Sequence, residues 1–483
     1  MELSKILDGV KCKNIKNFKN VEIECITQSS KDVIANSLFF CLSGANFDGK
    51  SFAKDVIQKG AIVLVSEENV NENCINVVVE DVRLAMSIMA KNYYEKSDEK
   101  LKKVAVVGTN GKTSTCFILQ SILKESGYKV GVIGTNGVYI NGQYLPSNLT
   151  TPDPIELHYI FHQMLMFGVD IVVMEVSAHA IYYKKLFDVY FDVGIFTNLT
   201  NEHLDFFRDM ENYSAVKKSF FTKKIMRECV VNVDDKYGVD IAKNSGVPCV
   251  SYGINNPSNI FAVGIKITIN GTKFYVNVND EILNISTNLV GEYNVYNILS
   301  AIGAAKLLGI ANDNIIRGVK KLKNINGRFM VYQLPENKKI VVDFAHTPDG
   351  FEKVLSLIKK LRKGKIISVF GCVGYSDAAK RKVMGQVAVR YCDEIIITTD
   401  NIGLSDFKTI NQDIKEGIAN DAIVTEIFDR DKAIEYAFKN LQKNETLVIL
   451  GKGCEDKQVI GDKKLDYCDI QVVENLLKGE VNE

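Results

Sequence analysis

The sequence of 483 residues contains no tryptophan, only seven prolines and five histidines, and no surplus of either charge. Lysine plus arginine and aspartate plus glutamate both total 59, so there is no basic excess to neutralise a phosphate backbone. Nucleic acid is therefore not expected as a partner. Apolar runs such as residues 61–65 are much shorter than the ~20 residues that span a bilayer, so membrane insertion is not expected either.

Cysteine motifs and targeting signals are also missing. The eleven cysteines include no Cys-x-x-Cys pair, which predicts reduced thiols rather than disulfides or a zinc site. The opening residues, Met1-Glu2-Leu3-Ser4-Lys5, do not have the pattern of a signal peptide. These features together predict a cytoplasmic protein.

Three blocks of strand and helix patterns follow one another along the chain, where the length predicts two to four domains. The polar stretch 95–100 has the composition of a linker, and a second boundary falls near residues 326–328. Continuous apolar runs in the second block indicate strands covered on both faces, with a hairpin at Asn270-Gly271. We therefore predict an α/β protein with a small N-terminal α/β domain (1–98), a central P-loop-type ATPase domain with a mostly parallel sheet (99–328) and a C-terminal Rossmann-like doubly wound domain (329–483).

A phosphate-binding loop is predicted where an apolar run at 104–107 meets a helical pattern. Backbone N–H groups of such a loop and the helix N-terminus point at an anion. Lys112 would reach the terminal phosphates, and Thr113 or Ser114 would offer a hydroxyl to magnesium. Val106 stands where the full Walker pattern has a glycine, so a purely structural turn is the alternative. The loop itself reads Gly108-Thr109-Asn110-Gly111-Lys112-Thr113-Ser114.

Two residues that follow apolar strands are candidates for holding a cation. Glu175 ends a strand beside the loop and is placed to hold magnesium, although a solvent-exposed carboxylate is the alternative. His203 follows the next strand, where it is either a ligand or structural. His158 and His162 lie in an amphipathic helical pattern and are interpreted as structural. The surroundings of Lys217 are those of an ordinary solvated helix lysine.

Short motifs follow one another along almost the whole chain. They are Gly-Thr-Asn-Gly-Lys-Thr at 108, Thr-Thr-Pro-Asp at 150, Glu-Val-Ser-Ala-His-Ala at 175, Asn-Leu-Thr-Asn-Glu-His-Leu-Asp at 198, Asn-Val-Asp-Asp at 232, Gly-Glu-Tyr-Asn-Val-Tyr-Asn at 291, Gly-Arg-Phe at 327, Asp-Phe-Ala-His-Thr-Pro-Asp at 343 and Gly-Lys-Gly-Cys-Glu-Asp at 451. These motifs resemble those of the Mur ligase family and occur in the family's order. The resemblance is greatest to the muramyl-tripeptide synthetases, which add the third amino acid of the peptidoglycan stem.

This resemblance implies a cytoplasmic, monomeric ligase that uses ATP, two magnesium ions and a carbamate formed from carbon dioxide on Lys217. The substrate carboxylate would attack the γ-phosphate, and the amine of an incoming amino acid would displace phosphate from the resulting acyl phosphate. Lys112, His203 and carbamylated Lys217 would be catalytic. ATP would be bound by residues 108–114 with Asn294, Arg328 and Asp343; magnesium by Thr113, Glu175, His203 and Lys217; the UDP-muramyl dipeptide by Ser29, Thr150, Thr151, Ser177 and Lys185; and the amino acid by Asp400, Asn401, Gly451 and Glu455.

The chain departs from the family pattern at both substrate ends. It reads Gln28-Ser29-Ser30 where family members usually have Asp-Ser-Arg. Ser376 and Gly403 stand where two arginines occur in diaminopimelate enzymes, so bidentate clamps on carboxylates are absent. Cys454 replaces a usual histidine beside Glu455. Diaminopimelate is disfavoured on this basis, and the identity of the third substrate stays open.

Two other functions are compatible with these departures. The first is a Mur-like ligase with another acceptor, of the folylpolyglutamate or cyanophycin type, which the Thr-Thr-Pro-Asp motif disfavours. The second is a non-catalytic paralogue that binds wall precursors. Retention of Lys112, Glu175, His203 and Lys217 disfavours this second function, because a protein without catalysis has no need of metal ligands.

Overall fold

The computed structural model describes residues 1–43, 48–70, 73–147, 149–374, 378–418 and 422–482. The N-terminal region forms a five-stranded sheet in the order β1-β5-β4-β3-β2, in which only β1 is antiparallel to its neighbour. Its elements are α1 (Leu3–Ile6), β1 (Cys12–Lys16), β2 (Cys25–Thr27), β3 (Ser37–Phe40), α2 (Ala53–Gln58), β4 (Ala61–Ser66), β5 (Ile75–Val79) and α3 (Val82–Tyr93).

The central region is built on an eleven-stranded sheet in the order β16-β15-β14-β13-β12-β11-β6-β10-β7-β8-β9. The strands from β13 to β7 in this order are parallel, and antiparallel hairpins extend both edges. Its elements are β6 (Lys102–Val107), α4 (Lys112–Glu125), β7 (Val130–Gly134), β8 (Gly137–Ile140), β9 (Gln143–Leu145), α5 (Pro154–Met166), β10 (Ile171–Val176), α6 (Ala178–Tyr182), β11 (Phe191–Phe196), α7 (Leu204–Phe207), α8 (Met210–Ser219), β12 (Met226–Asn232), α9 (Lys236–Asn244), β13 (Cys249–Gly253), β14 (Ile260–Thr268), β15 (Gly271–Val278), β16 (Glu281–Thr287), α10 (Glu292–Leu307) and α11 (Asn312–Lys321).

The C-terminal region has a six-stranded sheet in the order β17-β18-β22-β19-β20-β21, parallel except for β17. Separate apolar clusters cover its two faces, as a doubly wound sheet requires. Its elements are β17 (Met330–Gln333), β18 (Lys339–Asp343), α12 (Pro348–Leu361), β19 (Ile366–Phe370), α13 (Ala379–Tyr391), β20 (Glu394–Ile397), α14 (Phe407–Lys415), β21 (Ile423–Glu426), α15 (Arg430–Lys439), β22 (Thr446–Leu450), β23 (Lys457–Ile460), β24 (Lys463–Asp466) and α16 (Asp469–Asn482).

β23 and β24 form a separate two-stranded antiparallel sheet. The three large sheets confirm the predicted fold class, including the hairpin at Asn270-Gly271, where β14 and β15 pair antiparallel. The cysteine prediction is wrong for two residues, because Cys229 and Cys249 face each other on paired strands and form a disulfide. Among the described residues, no helix has both the length and the apolar character needed to cross a membrane.

The predicted linker at 95–100 is not an exposed tether. Residues Ser97–Lys100 form a 3-10 helix, and the Asp98 side chain is only 1% exposed. Lys91 of α3, itself nearly buried, lies 3.7 Å from Asp98, 3.0 Å from Glu99 and 3.0 Å from Asp188. Burial lowers the pKa of Lys91, but these carboxylates outweigh it and raise the pKa overall. Ser97 and Asp98 are therefore buried beside Lys91, whereas the other four residues of the stretch stay exposed.

Removal of the Lys91 ammonium is expected to destabilise the protein strongly. Lys91→Ala removes the ammonium that pairs with the buried carboxylate of Asp98 and leaves Lys103 as its nearby compensating charge, which costs about 3 kcal/mol of unfolding free energy. The measurement is urea denaturation followed by circular dichroism. Lys184→Ala is the control, because Lys184 is 52% exposed and its ion pair with Asp81 contributes about 0–1 kcal/mol. Equal midpoints for the two variants would contradict the assignment.

The two histidines interpreted as structural are packed against apolar and aromatic groups. His158 is 1% exposed against Phe161, and burial lowers its pKa to about 3. His162 lies near Tyr94, and its Nδ1 is 3.0 Å from Ser97 Oγ. His158 also approaches Asp98 Oδ1 through its Nδ1 at 3.8 Å, so both side chains join α5 to residues 94–98.

Candidate active site

The phosphate loop occupies residues 108–111, between the end of β6 and the start of α4. Gly111 has φ +86°, and a Cβ there would collide with the side-chain amide of Asn297, so the turn requires glycine. Lys112 Nζ donates to the carbonyl oxygens of Gly108 and Thr109 at 3.0 and 2.8 Å. The helix N-terminus and the lysine thus lie together at the loop, as anion binding requires.

The strand end beside the loop fixes its shape. The backbone N–H of Asn110 donates to Asn198 Oδ1 at 2.9 Å, and that of Thr109 to the Asn198 carbonyl at 2.9 Å. The Asn110 carbonyl accepts from Thr197 Oγ1 at 2.7 Å and from Asn198 Nδ2 at 3.0 Å. Residues after β11 therefore hold the loop backbone in place without occupying its inner face.

Glu175 is not the solvent-exposed carboxylate of the alternative interpretation, since it is 1% exposed. Its register partner in the neighbouring strand is Val106, which sets it beside the loop. Thr113 Oγ1 donates to Glu175 Oε1 at 2.8 Å, and Thr135 donates to both carboxylate oxygens, at 2.9 Å from its N–H and 3.2 Å from its hydroxyl. Arg328 Nη2 in turn donates to Thr113 Oγ1 at 2.9 Å. The hydroxyl and carboxylate oxygens form a donor set that magnesium prefers.

Lys217 is buried, which overturns its interpretation as a solvated helix lysine. It is 1% exposed, and its Nζ lies 2.5 Å from Tyr213 Oη and 3.3 Å from Thr109 Oγ1. Burial, with the nearby charge of Lys112, holds the pKa of Lys217 well below its usual range. In the part of the chain that the structure describes, no carboxylate forms an ion pair with it. Both effects favour the neutral, nucleophilic form of the amine.

His203 and Glu202 line the cleft on the side of the loop where Lys217 is buried behind the cleft wall. His203 begins α7 with φ +57°, and its Nε2 is 3.7 Å from Glu202 Oε2. Partial desolvation lowers the pKa of His203 although Glu202 opposes the shift, and the side chain is 44% exposed, so the neutral imidazole is favoured and accessible to a metal. Burial raises the pKa of Glu202, but His346 and the neighbouring charges outweigh it and lower the pKa overall. Glu202 is therefore ionised, with His346 Nε2 at 3.6 Å from its Oε1.

A cleft of about 640 Å³ between the central and C-terminal regions brings many of the predicted residues together. Within the described residues, no three histidine, cysteine or carboxylate side chains converge to form a complete metal cage. Residues behind the cleft wall include Thr151, whose hydroxyl donates to the Glu175 carbonyl at 2.9 Å, and Lys217 below the loop. The predicted residues that line the cleft are 109–114, Thr150, Glu175, Ser177, His203, Asn294, Arg328 and Asp343.

Asn294 and Asp343 are held by their own surroundings. Asn294 Nδ2 donates to the Val290 carbonyl at 2.9 Å, and its Oδ1 accepts from Asn297 at 3.2 Å. The Asp343 carboxylate accepts the backbone N–H groups of Phe329 and Ala345, both at 2.7 Å. Burial raises the pKa of Asp343, with Arg328 opposing. These bonds fix the segment that joins the central and C-terminal sheets.

Of the predicted UDP-substrate residues, Thr150 and Ser177 line this cleft, whereas Ser29 and Lys185 lie outside it, where the N-terminal region meets the start of α5. Gln28 Nε2 donates to Asp153 Oδ2 at 3.1 Å, and Lys185 Nζ lies 2.8 Å from Asp153 Oδ1. Ser29 forms a turn in which its N–H donates to Thr27 Oγ1 at 3.0 Å. Asp153 therefore bridges Lys185 to the altered Gln28-Ser29 motif.

The predicted amino-acid residues form a third cluster around a lysine that the sequence analysis did not single out. Lys452 is fully buried, and its Nζ lies 2.8 Å from Glu455 Oε2, 3.1 Å from Asn401 Oδ1 and 4.0 Å from Asp400 Oδ1. Asn401 Nδ2 also donates to Glu455 Oε2 at 3.0 Å. Gly451 adjoins Asp400 with φ +114°. Lys452 stands inside the quoted Gly-Lys-Gly-Cys-Glu-Asp motif, which is the signal that could have identified it.

Of the two positions where this chain lacks the family's arginines, the structure describes one, Gly403. Gly403 is bonded through its backbone to β23 and its turn, with its N–H donating to Val459 at 3.1 Å and its carbonyl accepting from Gly461 at 2.8 Å. Ser376 lies outside the described residues. Other cleft residues that the sequence analysis quoted only within motifs are Glu202, Asn297 and His346, and Thr135 was not noticed at all.

Comparison with known proteins identifies the family of this chain. This chain is 38% identical over 482 residues to a ligase from Clostridium acetobutylicum, and the match covers 99% of both chains. That relative is named UDP-N-acetylmuramoyl-L-alanyl-D-glutamate–2,6-diaminopimelate ligase 1. The chain belongs to the Mur ligase family. Three family models match this Mur ligase: "Mur ligase family, catalytic domain" at 22–108, "Mur ligase middle domain" at 106–305 and "Mur ligase, glutamate ligase domain" at 327–453.

Two further comparisons agree with this assignment. The Clostridium botulinum ligase named for the same substrates is 37% identical to this Mur ligase over 485 residues, covering 99% of this chain and all of the relative. A solved structure of a UDP-N-acetylmuramoyl-L-alanyl-D-glutamate–2,6-diaminopimelate ligase has a TM-score of 0.69 at 26% identity and covers 99% of each chain. The predicted family, the three-domain fold and the class of ATP-dependent acid–amino-acid ligase are confirmed. The domain boundaries and individual site roles stay predictions.

Proposed function

We propose that this Mur ligase joins an amino acid to the D-glutamate carboxylate of UDP-N-acetylmuramoyl-L-alanyl-D-glutamate, with ATP as the energy source. The full-length relatives named for this acceptor support the substrate. The observation that carries the chemistry is the convergence of Lys112, Thr113, Glu175 and the buried Lys217 on one loop. That arrangement suits transfer of a γ-phosphate to a carboxylate.

The residues of this chain have separable tasks in the reaction. Lys112 and the N-terminus of α4 offset charge on the equatorial oxygens of the transferred phosphate. Arg328 reaches the same point from the segment before the C-terminal sheet, through Thr113. The acyl phosphate then meets the incoming amine, and the amide bond forms as phosphate leaves. Because the parts come from different domains, closure of the cleft is expected to precede chemistry.

The residues present fit magnesium and a lysine carbamate. Thr113 and Glu175 would hold one ion, and His203 with carbamylated Lys217 would hold a second, so that the ions neutralise phosphate charge when bound. The buried, uncharged amine of Lys217 favours carbamate formation, because only a neutral amine adds to carbon dioxide. A cytoplasmic location, a monomeric state, and UDP-substrate contacts from Ser29, Thr150, Thr151, Ser177 and Lys185 complete the proposal.

The cluster around Lys452 supports an incoming amino acid whose side chain ends in an amine. Asp400 and Glu455 supply two carboxylates against one ammonium, so the cluster has a net negative charge. The ammonium of Lys452 is already bonded to Glu455 and Asn401, which leaves little to pair with a second substrate carboxylate. The relatives are named for diaminopimelate, which carries both groups. Lysine, ornithine and diaminopimelate must therefore be compared directly.

The test is a panel of amino acids with ATP, magnesium, bicarbonate and the muramyl dipeptide acceptor, read by product mass and ADP release. ADP release is expected only when the acceptor and a suitable amino acid are both present. Amino acids with cationic side chains are expected to give the highest rates of ADP release. Turnover with folates instead would assign a different acceptor. Precursor binding without ADP release from any panel member would indicate a non-catalytic protein.

A further inference from the structure

One hydrogen bond ties the phosphate loop directly to the C-terminal domain. Asp349 lies in the first turn of α12, and its Oδ2 accepts from Asn110 Nδ2 at 2.7 Å. The same oxygen accepts from Lys353 Nζ, one helical turn along, at 2.8 Å. A carboxylate of the C-terminal domain is therefore hydrogen-bonded to a residue of the phosphate loop in the central domain.

The Asn110 side chain is available for this contact because its backbone is already committed. The N–H and carbonyl of Asn110 are both bonded to residues 197 and 198 within the central domain. Its side-chain amide points the other way, across the cleft, and within the described residues its one hydrogen bond besides that to Asp349 is a longer contact of 3.4 Å to Thr200. The loop backbone is thus held on one side, and its half-buried amide offers a fixed point for docking.

Other bonds across the same boundary meet at the phosphate end. Arg328 donates to Thr113, and His346 faces Glu202 at 3.6 Å. Asp349 differs from these because it contacts the loop itself and none of the predicted metal ligands. Lys353 neutralises its charge, so that the carboxylate is tolerated beside a site built for anions.

We propose that Asp349 is a positioning residue: together with Lys353 it sets the C-terminal domain in register on Asn110, so that the amino-acid site faces the phosphate loop. This rests on the proposed ligase function. Because nucleotide binds the loop from the central domain, the contact contributes to the closed, reacting complex rather than to nucleotide affinity. Loss of the contact therefore lowers kcat and leaves ATP binding unchanged.

The first test compares Asp349→Ala, Asp349→Asn and a control. A bond to a charged acceptor predicts a fall in kcat of about 10-fold to 100-fold for Asp349→Ala, with the Kd for ATP within 2-fold. Asp349→Asn keeps an oxygen for Asn110 but loses the charge that Lys353 pairs with, so an intermediate kcat is expected. Asp431→Ala removes a first-turn carboxylate from α15, on the other face of the same sheet, and is expected to keep the wild-type kcat. An Asp349→Ala kcat within 2-fold of wild type would overturn the proposal.

A double-mutant cycle and a scattering measurement separate positioning from a general loss of structure. Asn110→Ala with Asp349→Ala should be no slower than the slower single variant, because both remove one contact; independent multiplication of the two losses would overturn the proposal. Small-angle X-ray scattering of the ATP complex should give a larger radius of gyration for Asp349→Ala than for wild type. This last readout needs no acceptor, so it distinguishes failure of the positioning role from failure of the proposed ligation: unchanged scattering overturns the former alone.

Discussion

Lys112→Met is expected to lower kcat by about 1,000-fold while the protein stays folded. The ammonium lies at the mouth of the phosphate loop, bonded to the carbonyls of Gly108 and Thr109, where it can swing to a phosphate oxygen. A charge placed on a transferring phosphoryl group acts mainly in the transition state and contributes about this factor. Methionine keeps the length and apolar stem of the side chain, so the loss is one of charge. The measurement is steady-state ADP release with saturating substrates.

The matched control for Lys112 lies on the same helix. Lys124, in the last turn of α4, is exposed, and Lys124→Met is expected to leave kcat within 2-fold. Thermal melting of both variants should match that of the wild type. If Lys112→Met retains more than a tenth of the wild-type kcat, the loop does not handle the transferred phosphate.

Lys217→Met is expected to lower kcat by about 100-fold or more. Lys217 can hold a magnesium ion only after carbon dioxide adds to its amine, and the site places that amine beside Thr109 in an uncharged form. Loss of one metal ligand removes charge stabilisation worth several kcal/mol in such sites. A carbamate signal from ¹³C-labelled bicarbonate should appear by NMR in the wild type and be absent from Lys217→Met.

Chemical rescue and a neighbouring lysine make this result specific. Lys217→Ala leaves a small space, so acetate or propionate should restore part of the activity by supplying the missing carboxylate. Lys218 is the next residue, pairs with Asp240 at 2.7 Å on the surface, and Lys218→Ala should keep kcat within 2-fold. Since the depressed pKa keeps the Lys217 amine neutral at lower pH than usual, the carbamate signal should persist near neutral pH and disappear as the amine protonates in acid. Equal activity of the Lys217 and Lys218 variants would contradict the carbamate assignment.

Local sequence patterns were sufficient for features that depend on neighbours in the chain. The glycines at 108 and 111 followed by Lys112 predict a loop between strand and helix, and Glu175 after an apolar run predicts a carboxylate at the same sheet edge. The carboxyl ends of parallel strands lie at one edge of the sheet, so residues that follow these strands are close together in any fold that contains such a sheet. The motif order likewise identified the family and the fold class.

Burial of charged groups could not be predicted in this way. Lys217 looks solvated in its own helix, yet Tyr213 and the loop residue Thr109 enclose it. The stretch at 95–100 has a linker's composition, but its Asp98 is buried and lies 3.7 Å from Lys91 of the preceding helix. In both cases the residue that accounts for the burial is distant in the sequence, or lies on another helix whose orientation composition does not predict.

The sequence by itself was sufficient to predict the phosphate loop, the three large α/β sheets and the ligase family, because each depends on short motifs or on periodicity. Tertiary structure alone decided the burial of Lys217 and the lowered pKa of its amine, the Lys452 cluster and the bond between Asn110 and Asp349. These depend on desolvation and on contacts between domains, and both arise only when elements far apart in the chain are packed together.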